Sequence, residues 1–268
     1  MNALVLSGGA ARGFAHIGVY KNIQKLGINF DIITGTSMGA GIGAFIADGK
    51  TYEEIIEIME GVSWLKLLSK PDKGSLMDGK GILDFIEKYF GNRKIEDLPK
   101  KFACVATDID SGEEILFDKG PIKDALRATI SIPGILKPHE LNGRYLVDGG
   151  LVNNLPILQA EKMGATKILA INVRRSKTRK TLYRELNEKN DNNFIKFFKA
   201  KRVKMFYDFC EKTYDIMANI IDEKQVKNAK TPIILKHIGI PKIKYIAFLQ
   251  WRKIVEHGEK VDISDFLS

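Results

Sequence analysis

The sequence predicts an α/β fold in one large domain, and three observations carry that prediction. Short apolar runs at residues 2–6, 30–34 and 167–173 have the length and composition of buried strands, and the first two are each followed by a segment with helical spacing. Both of those strand-to-helix junctions are rich in glycine, reading Ser7-Gly8-Gly9-Ala10-Ala11-Arg12-Gly13 and Gly35-Thr36-Ser37-Met38-Gly39, as tight turns at the edge of a parallel sheet require. With 268 residues, 44% of them hydrophobic, the chain is long enough to bury one substantial core.

The elements follow in order. After the strand at 2–6, a helix is expected over 14–26, with Ile17, Tyr20 and Ile23 on its apolar face and Gly27 as its stop. The second strand, 30–34, leads through the GxSxG into a helix that runs from Ala40 to a stop at Gly49. Thr51 and Glu54 make a capping box for a helix through Met59, and a further helix covers 80–89. The polar stretch 69–79 between them, with Pro71, Gly74 and Gly79, reads as a loop flanking a pocket. Residues 102–107 form a strand with Cys104 inside it, Ser111-Gly112 a turn and 114–117 the hairpin partner. Pro121 opens a helix to 129, broken by Ser131-Ile132-Pro133-Gly134. Asn142-Gly143 marks a hairpin, so 144–147 is a strand that delivers Asp148-Gly149-Gly150 at its end. Pro156 starts a helix that ends before Gly164, and the strand at 167–173 follows. Beyond a basic insert come a helix over 194–223, a strand over 231–236 and a helix over 244–257.

The net charge of +9 belongs to one segment. Between Arg174 and Lys204 there are twelve Lys or Arg against Glu185, Glu188 and Asp191, a difference equal to the whole excess. Phe194, Phe198, Met205, Phe209, Ile216 and Ile220 recur there at steps that share one helical face, flanked by Lys196, Lys199, Lys201, Arg202 and Lys204. Such a segment can meet an anionic membrane surface through residues 174–204, with the later half of the stripe turned into the core. No signal-peptide pattern and no apolar run of about 18 residues is visible, and the two cysteines, Cys104 and Cys210, have no metal-ligand spacing. The expectation is a cytoplasmic protein, peripheral at most on the inner membrane surface, with no metal, no cofactor and no nucleic-acid partner.

The chemistry centres on Ser37. A serine on a sharp strand-to-helix turn projects its hydroxyl above the sheet, flanking glycines Gly35 and Gly39 permit the turn, and the following helix directs its N-terminal amides at the site. The glycine-rich turn after the first strand admits three readings: a dinucleotide phosphate loop, an oxyanion hole facing Ser37, or close packing. Ala10 in place of the third glycine of GxGxxG counts against the first. A base for Ser37 could be a histidine, with His237 or His257 completing the order Ser, Asp, His, although that triad's fold places several strands before its serine. The other candidate is Asp148 itself, a carboxylate at a strand end, which needs burial beside Ser37 to raise its basicity.

Taken together and in order, five blocks resemble the patatin-like phospholipase family: Gly8-Gly9-Ala10-Ala11-Arg12-Gly13 with Phe14-Ala15-His16-Ile17-Gly18-Val19, the GTSMG, Ala106-Thr107-Asp108, Ser131-Ile132-Pro133-Gly134, and Val147-Asp148-Gly149-Gly150 running on to Leu151-Val152-Asn153-Asn154-Leu155-Pro156. The resemblance spans residues 1–173, the expected catalytic core, and continues over 174–268 only in element order, as a segment completing the same domain. It implies a three-layer α/β/α sandwich with a mainly parallel central sheet, and a lipid acyl hydrolase working through a Ser–Asp dyad and an acyl-enzyme on phospholipid or lysophospholipid esters. Ser37 would be the nucleophile and Asp148 the base. Gly8, Gly9, Ala10 and Arg12 would form the oxyanion site, helped by the Met38 amide. The family usually has a third glycine at Ala10, and a methyl there is tolerable at negative φ. A small-ester carboxylesterase and a catalytically silent lipid-binding module are the alternatives.

Overall fold

The protein is described by a computed structural model covering residues 1–64, 79–174, 196–240 and 247–268, with backbone alone for 196–211. A single sheet runs through it. Strand β1 (Asn2–Leu6) lies between β2 (Ile32–Thr36) and β7 (Lys167–Asn172), and all three are parallel; β8 (Ile233–His237) extends the sheet in parallel beyond β7. On the other side of β2 lies β3 (Lys101–Asp108), also parallel, followed by antiparallel partners: β4 (Glu114–Phe117) and β6 (Arg144–Asp148) pair with β3, and β5 (His139–Leu141) pairs with β6.

Helices cover both faces because the inner strands are apolar on both. Along β1, Leu4 and Leu6 enter one core while Ala3 and Val5 enter the other, the period-2 alternation of a strand with no solvent face. The larger core is closed by α1 (Ala15–Lys25), α2 (Met38–Ala47), α3 (Tyr52–Glu60), α4 (Lys80–Phe90) and α8 (Trp251–Glu259). The smaller lies under α6 (Ile157–Lys162) and the long helix α7 (Lys196–Asn228). Helix α5 (Ile122–Thr129) packs Ala128 against Ala106 of β3 and Leu146 of β6. This is the three-layer α/β/α sandwich expected, and the Thr51–Glu54 capping box and the Asn142-Gly143 turn are in place. Among the described residues, no helix is long and apolar enough to cross a membrane.

Several boundaries move. Strand β2 begins two residues later than its apolar run suggests: the ladder starts at Ile32, and Phe30 is buried ahead of it against Phe266, 5.2 Å between ring centroids. The last helix begins at Trp251, and most of the 69–79 loop and part of the 244–257 helix lie outside the described residues. The expected orientation of α7 is overturned. Ile216 and Ile220 are 52% and 63% exposed, while Asp215, Ala218 and Asp222 are buried. Over this described part of the helix the inner face carries two carboxylates, and the stripe residues Ile216 and Ile220 point outward. Phe194 lies outside the described residues, as do the side chains of Phe198, Met205 and Phe209.

Polar contacts hold α7 down. Asp222 accepts from Asn154 Nδ2 at 3.2 Å and Asn172 Nδ2 at 2.8 Å, and burial raises its pKa to about 6 despite those donors and the nearby Arg174. The unfolded carboxyl ionises near 4 and the folded one near 6, so folding binds the proton more tightly and stability falls as pH rises through that window. Asp222→Asn removes this cost: it is expected to raise stability at pH 8 by up to about 3 kcal/mol, an advantage that shrinks below pH 6 and vanishes near pH 4. Urea unfolding of the two proteins from pH 4 to pH 8 measures it.

Candidate active site

The register of β3 brings the two candidate catalytic residues together. Thr36, the last residue of β2, pairs with Val105; Asp148, the last residue of β6, pairs with Ala106. β4 occupies the opposite side of β3 across Cys104 to Thr107, so β2 and β6 share one side and meet end to end on consecutive rungs. Two chains that both stop at one junction place their next residues over it. Ser37 emerges there at φ 55, ψ −126, with its hydroxyl near enough to the Asp148 carboxyl to favour the charged form of that carboxyl.

Such a backbone is strained for a residue with a Cβ, and the surroundings fix it. The Ser37 N–H donates to Thr129 Oγ1 at 2.9 Å, and the Thr129 hydroxyl donates to the Val105 carbonyl at 2.5 Å. The N–H of Asp148 donates to the Ser131 carbonyl at 2.9 Å, and the Thr107 hydroxyl to the Asp148 carbonyl at 3.0 Å. The C-terminal end of α5 thus staples both strand ends. Thr36 and Thr34 donate to the carbonyls of Asn153 and Pro156, which lays the segment after Asp148 across β2. Gly39 allows α2 to start directly above β1, where a Cβ would collide with the carbonyls of Leu6 and Ser7.

Asp148 is buried, and burial holds its carboxyl above the ordinary range. Ser37, the Gly150 N–H, the Tyr214 hydroxyl and the charge of Arg174 act in the opposite direction. The four histidines are elsewhere: His16 Nε2 bonds the Ser7 carbonyl at 2.8 Å and burial lowers its pKa to about 4, while His139 pairs with Asp124 at 3.3 Å. His237 ends edge strand β8, and His257 lies near the end of α8. Among the described residues no histidine bonds Ser37 or Asp148.

The loop after β1 faces this pair with altered roles. The Gly8 N–H donates to the Asn154 carbonyl at 3.1 Å, so Gly8 acts as a spacer, its missing Cβ leaving room for Asn154 Oδ1 and Ser37. Arg12 is fully buried with its guanidinium toward Asp215, 3.6 Å away, and so braces α7. Ala10 has φ 45, so the condition of a negative φ fails and this residue carries strain of about 1–2 kcal/mol. With the Gly8 and Ser37 amides engaged, those of Gly9, Ala10 and Met38 are the candidate oxyanion donors. Gly13 sits against Met38, and Gly35 under the start of α2. Gly149 lies on the Val105 carbonyl and Gly150 against the Tyr214 hydroxyl. Thr129 and Tyr214 carry no motif and were not legible as site residues.

Ser37 opens into a cavity of about 390 Å³ between α2, α3, α4 and α5, walled by Phe14, Phe45, Trp64, Phe85, Phe90 and Phe248. Trp64 and Phe248 stack at 6.0 Å, and Phe14 meets Trp64 edge-on at 5.1 Å. Among the described residues there is no group of three or more metal-ligating side chains.

Comparison with known proteins bears on this geometry. The family model for patatin-like phospholipase matches residues 4–161. An uncharacterised NTE family protein of Mycobacterium bovis is 35% identical over 181 residues, covering 64% of this chain and 48% of that protein. Patatin-like phospholipase domain-containing protein 7 of Rattus norvegicus is 35% identical over 182 residues, covering 64% of this chain and 13% of that protein. The match therefore takes in half or less of these relatives' own lengths. Among solved structures, VipD from Legionella pneumophila shares the fold, with a TM-score of 0.51 at 14% identity over 95% of this chain and 66% of that one. The five ordered blocks, the sandwich and the family match agree, and the chain belongs to the patatin-like phospholipase family.

Proposed function

We propose that the protein hydrolyses acyl esters of phospholipids or lysophospholipids through Ser37 and Asp148. The observation that carries this reading is the convergence of Ser37 and the buried Asp148 carboxyl, whose pKa burial raises, at adjoining strand ends beside an apolar cavity. In the first step Ser37 Oγ attacks the ester carbonyl carbon while Asp148 takes the hydroxyl proton. The carbonyl oxygen gains the negative charge, and the amides of Gly9, Ala10 and Met38 stabilise it, with the N-terminal end of α2 adding its dipole. As the intermediate collapses, the ester bond breaks and Asp148 returns the proton to the departing alcohol. Water then attacks the acyl-Ser37 ester and Asp148 takes its proton; as the bond from the acyl carbon to Oγ breaks, Asp148 gives that proton to Oγ, and the fatty acid leaves with the Ser37 hydroxyl and the Asp148 carboxylate restored. Through both half-reactions the acyl chain occupies the aromatic-walled cavity.

A docking of the protein on anionic lipid is part of the reading and rests on charge. Arg174 is withdrawn from it, because its side chain is 1% exposed and pairs with Asp215 at 3.2 Å. The other eleven Lys and Arg up to Lys204 remain.

Ser37→Ala is expected to abolish turnover of a soluble ester while the melting temperature stays near wild type, and Asp148→Asn to lower kcat by about 10³-fold or more. Glutamine at His237 or His257 should cost less than twofold; a loss matching that of Asp148→Asn would replace the dyad by a triad. Because burial raises the Asp148 pKa, kcat/KM should fall with decreasing pH at values above the ~4 of an ordinary aspartate, and a limb at or below 4 would contradict its role as base. In low salt, sedimentation with anionic vesicles should exceed that with neutral ones and decline as salt is added. Equal sedimentation with both would remove the membrane contact.

A further inference from the structure

The geometry points to Tyr214 as the residue that positions the Asp148 carboxylate, a role that helix α7 supplies from outside the segment matched by the family model. The inference rests on the reading of Asp148 as the base. The Tyr214 hydroxyl donates to Asp148 Oδ1 at 3.0 Å, and the Gly150 N–H donates to the same oxygen at 2.8 Å. Two donors on Oδ1 fix the rotation of the carboxylate and leave Oδ2 as the oxygen able to accept the Ser37 proton.

Arg174 holds Tyr214 at two points, its ring and its carbonyl. The Arg174 guanidinium lies over its ring at 4.3 Å from the centroid, and Arg174 Nη1 donates both to the Tyr214 carbonyl and to Asp215 Oδ1, each at 3.2 Å. Asp215 in turn faces Arg12 of the loop after β1. The end of β7, the glycine-rich loop and the base are therefore tied to one turn of α7. Gly150 gains a reason here: a Cβ at that position would occupy the place of the Tyr214 hydroxyl. The charged and polar groups facing Asp148 are Ser37 from the elbow, the Gly150 amide from its own loop, Arg174 from the end of β7 and Tyr214 from α7.

Removing the hydroxyl alone tests this. Tyr214→Phe keeps the ring under Arg174, so the fold is retained, which a melting curve checks. The carboxylate loses one donor to its charged form, so its pKa rises. Two measurements read the result: the pH profile of kcat/KM on a soluble p-nitrophenyl ester, and the Asp148 carboxyl titration by ¹³C NMR, made in the Ser37→Ala background so that it does not depend on turnover. The acid limb and the carboxyl titration should both move up by about one pH unit, and kcat should fall about tenfold with KM within twofold. A kcat loss with unmoved limb and titration would make Tyr214 merely structural and overturn the inference, as would wild-type values throughout. A moved titration in a protein whose turnover survives Ser37→Ala would keep the Tyr214–Asp148 contact and reject the dyad instead.

Discussion

Strand β3 is paired on one side by two different strands, and the point where they abut organises the molecule. β2 ends at Thr36 on the rung of Val105 and β6 ends at Asp148 on the rung of Ala106, so a parallel and an antiparallel strand converge head to head. Neither can continue, and each chain must leave the sheet. β2 leaves through the left-handed turn at Ser37, and β6 leaves through Gly149 and Gly150. The hydroxyl and the carboxyl meet because the sheet has no further room in that lane. Thr129 and Ser131 are the wedge that keeps the ends apart yet aligned, each engaging backbone groups that the truncated ladders leave unpaired.

The electrostatics follow from the same convergence. A carboxylate at a junction covered by α5, α7 and the loop after β1 is dry, which raises its affinity for a proton; the donors around it keep that rise in check. Asp222, with two amide donors, is raised by burial in the same way, to about 6. Basicity at Asp148 is thus a balance between desolvation and hydrogen bonding. The strain at Ser37 and Ala10, both at positive φ, is local to the same few ångströms and is borne by the packed sheet beneath.

The outline of this arrangement could be read from the sequence because its parts depend on local chemistry. GTSMG needs its glycines wherever it folds, and Asn142-Gly143 fixes the hairpin that carries Asp148. What could not be read depends on partners distant in the chain. Thr129 is an ordinary helix-end residue until Ser37 lies 2.9 Å from it. Phe30 has the look of a strand residue because burial, not hydrogen bonding, is what an apolar run reports. Helix α7 misleads for a sharper reason: its inner face is built from Asp215 and Asp222, carboxylates that are buried because Arg12, Arg174 and the two asparagines receive them. At Ile216 and Ile220 hydrophobic periodicity then indicates the wrong side, and Tyr214 is hidden with it.

The central claim is that this junction makes Ser37 a nucleophile activated by Asp148, and covalent labelling tests it most directly. A fluorophosphonate ester reacts with an activated serine and leaves a phosphonyl adduct of known mass. Peptide mapping by mass spectrometry should find one adduct, on the peptide containing Ser37, formed rapidly in the native protein and lost in Asp148→Asn and in urea-unfolded protein. An adduct on another residue, or labelling of Ser37 at the same rate in Asp148→Asn as in wild type, would contradict the account.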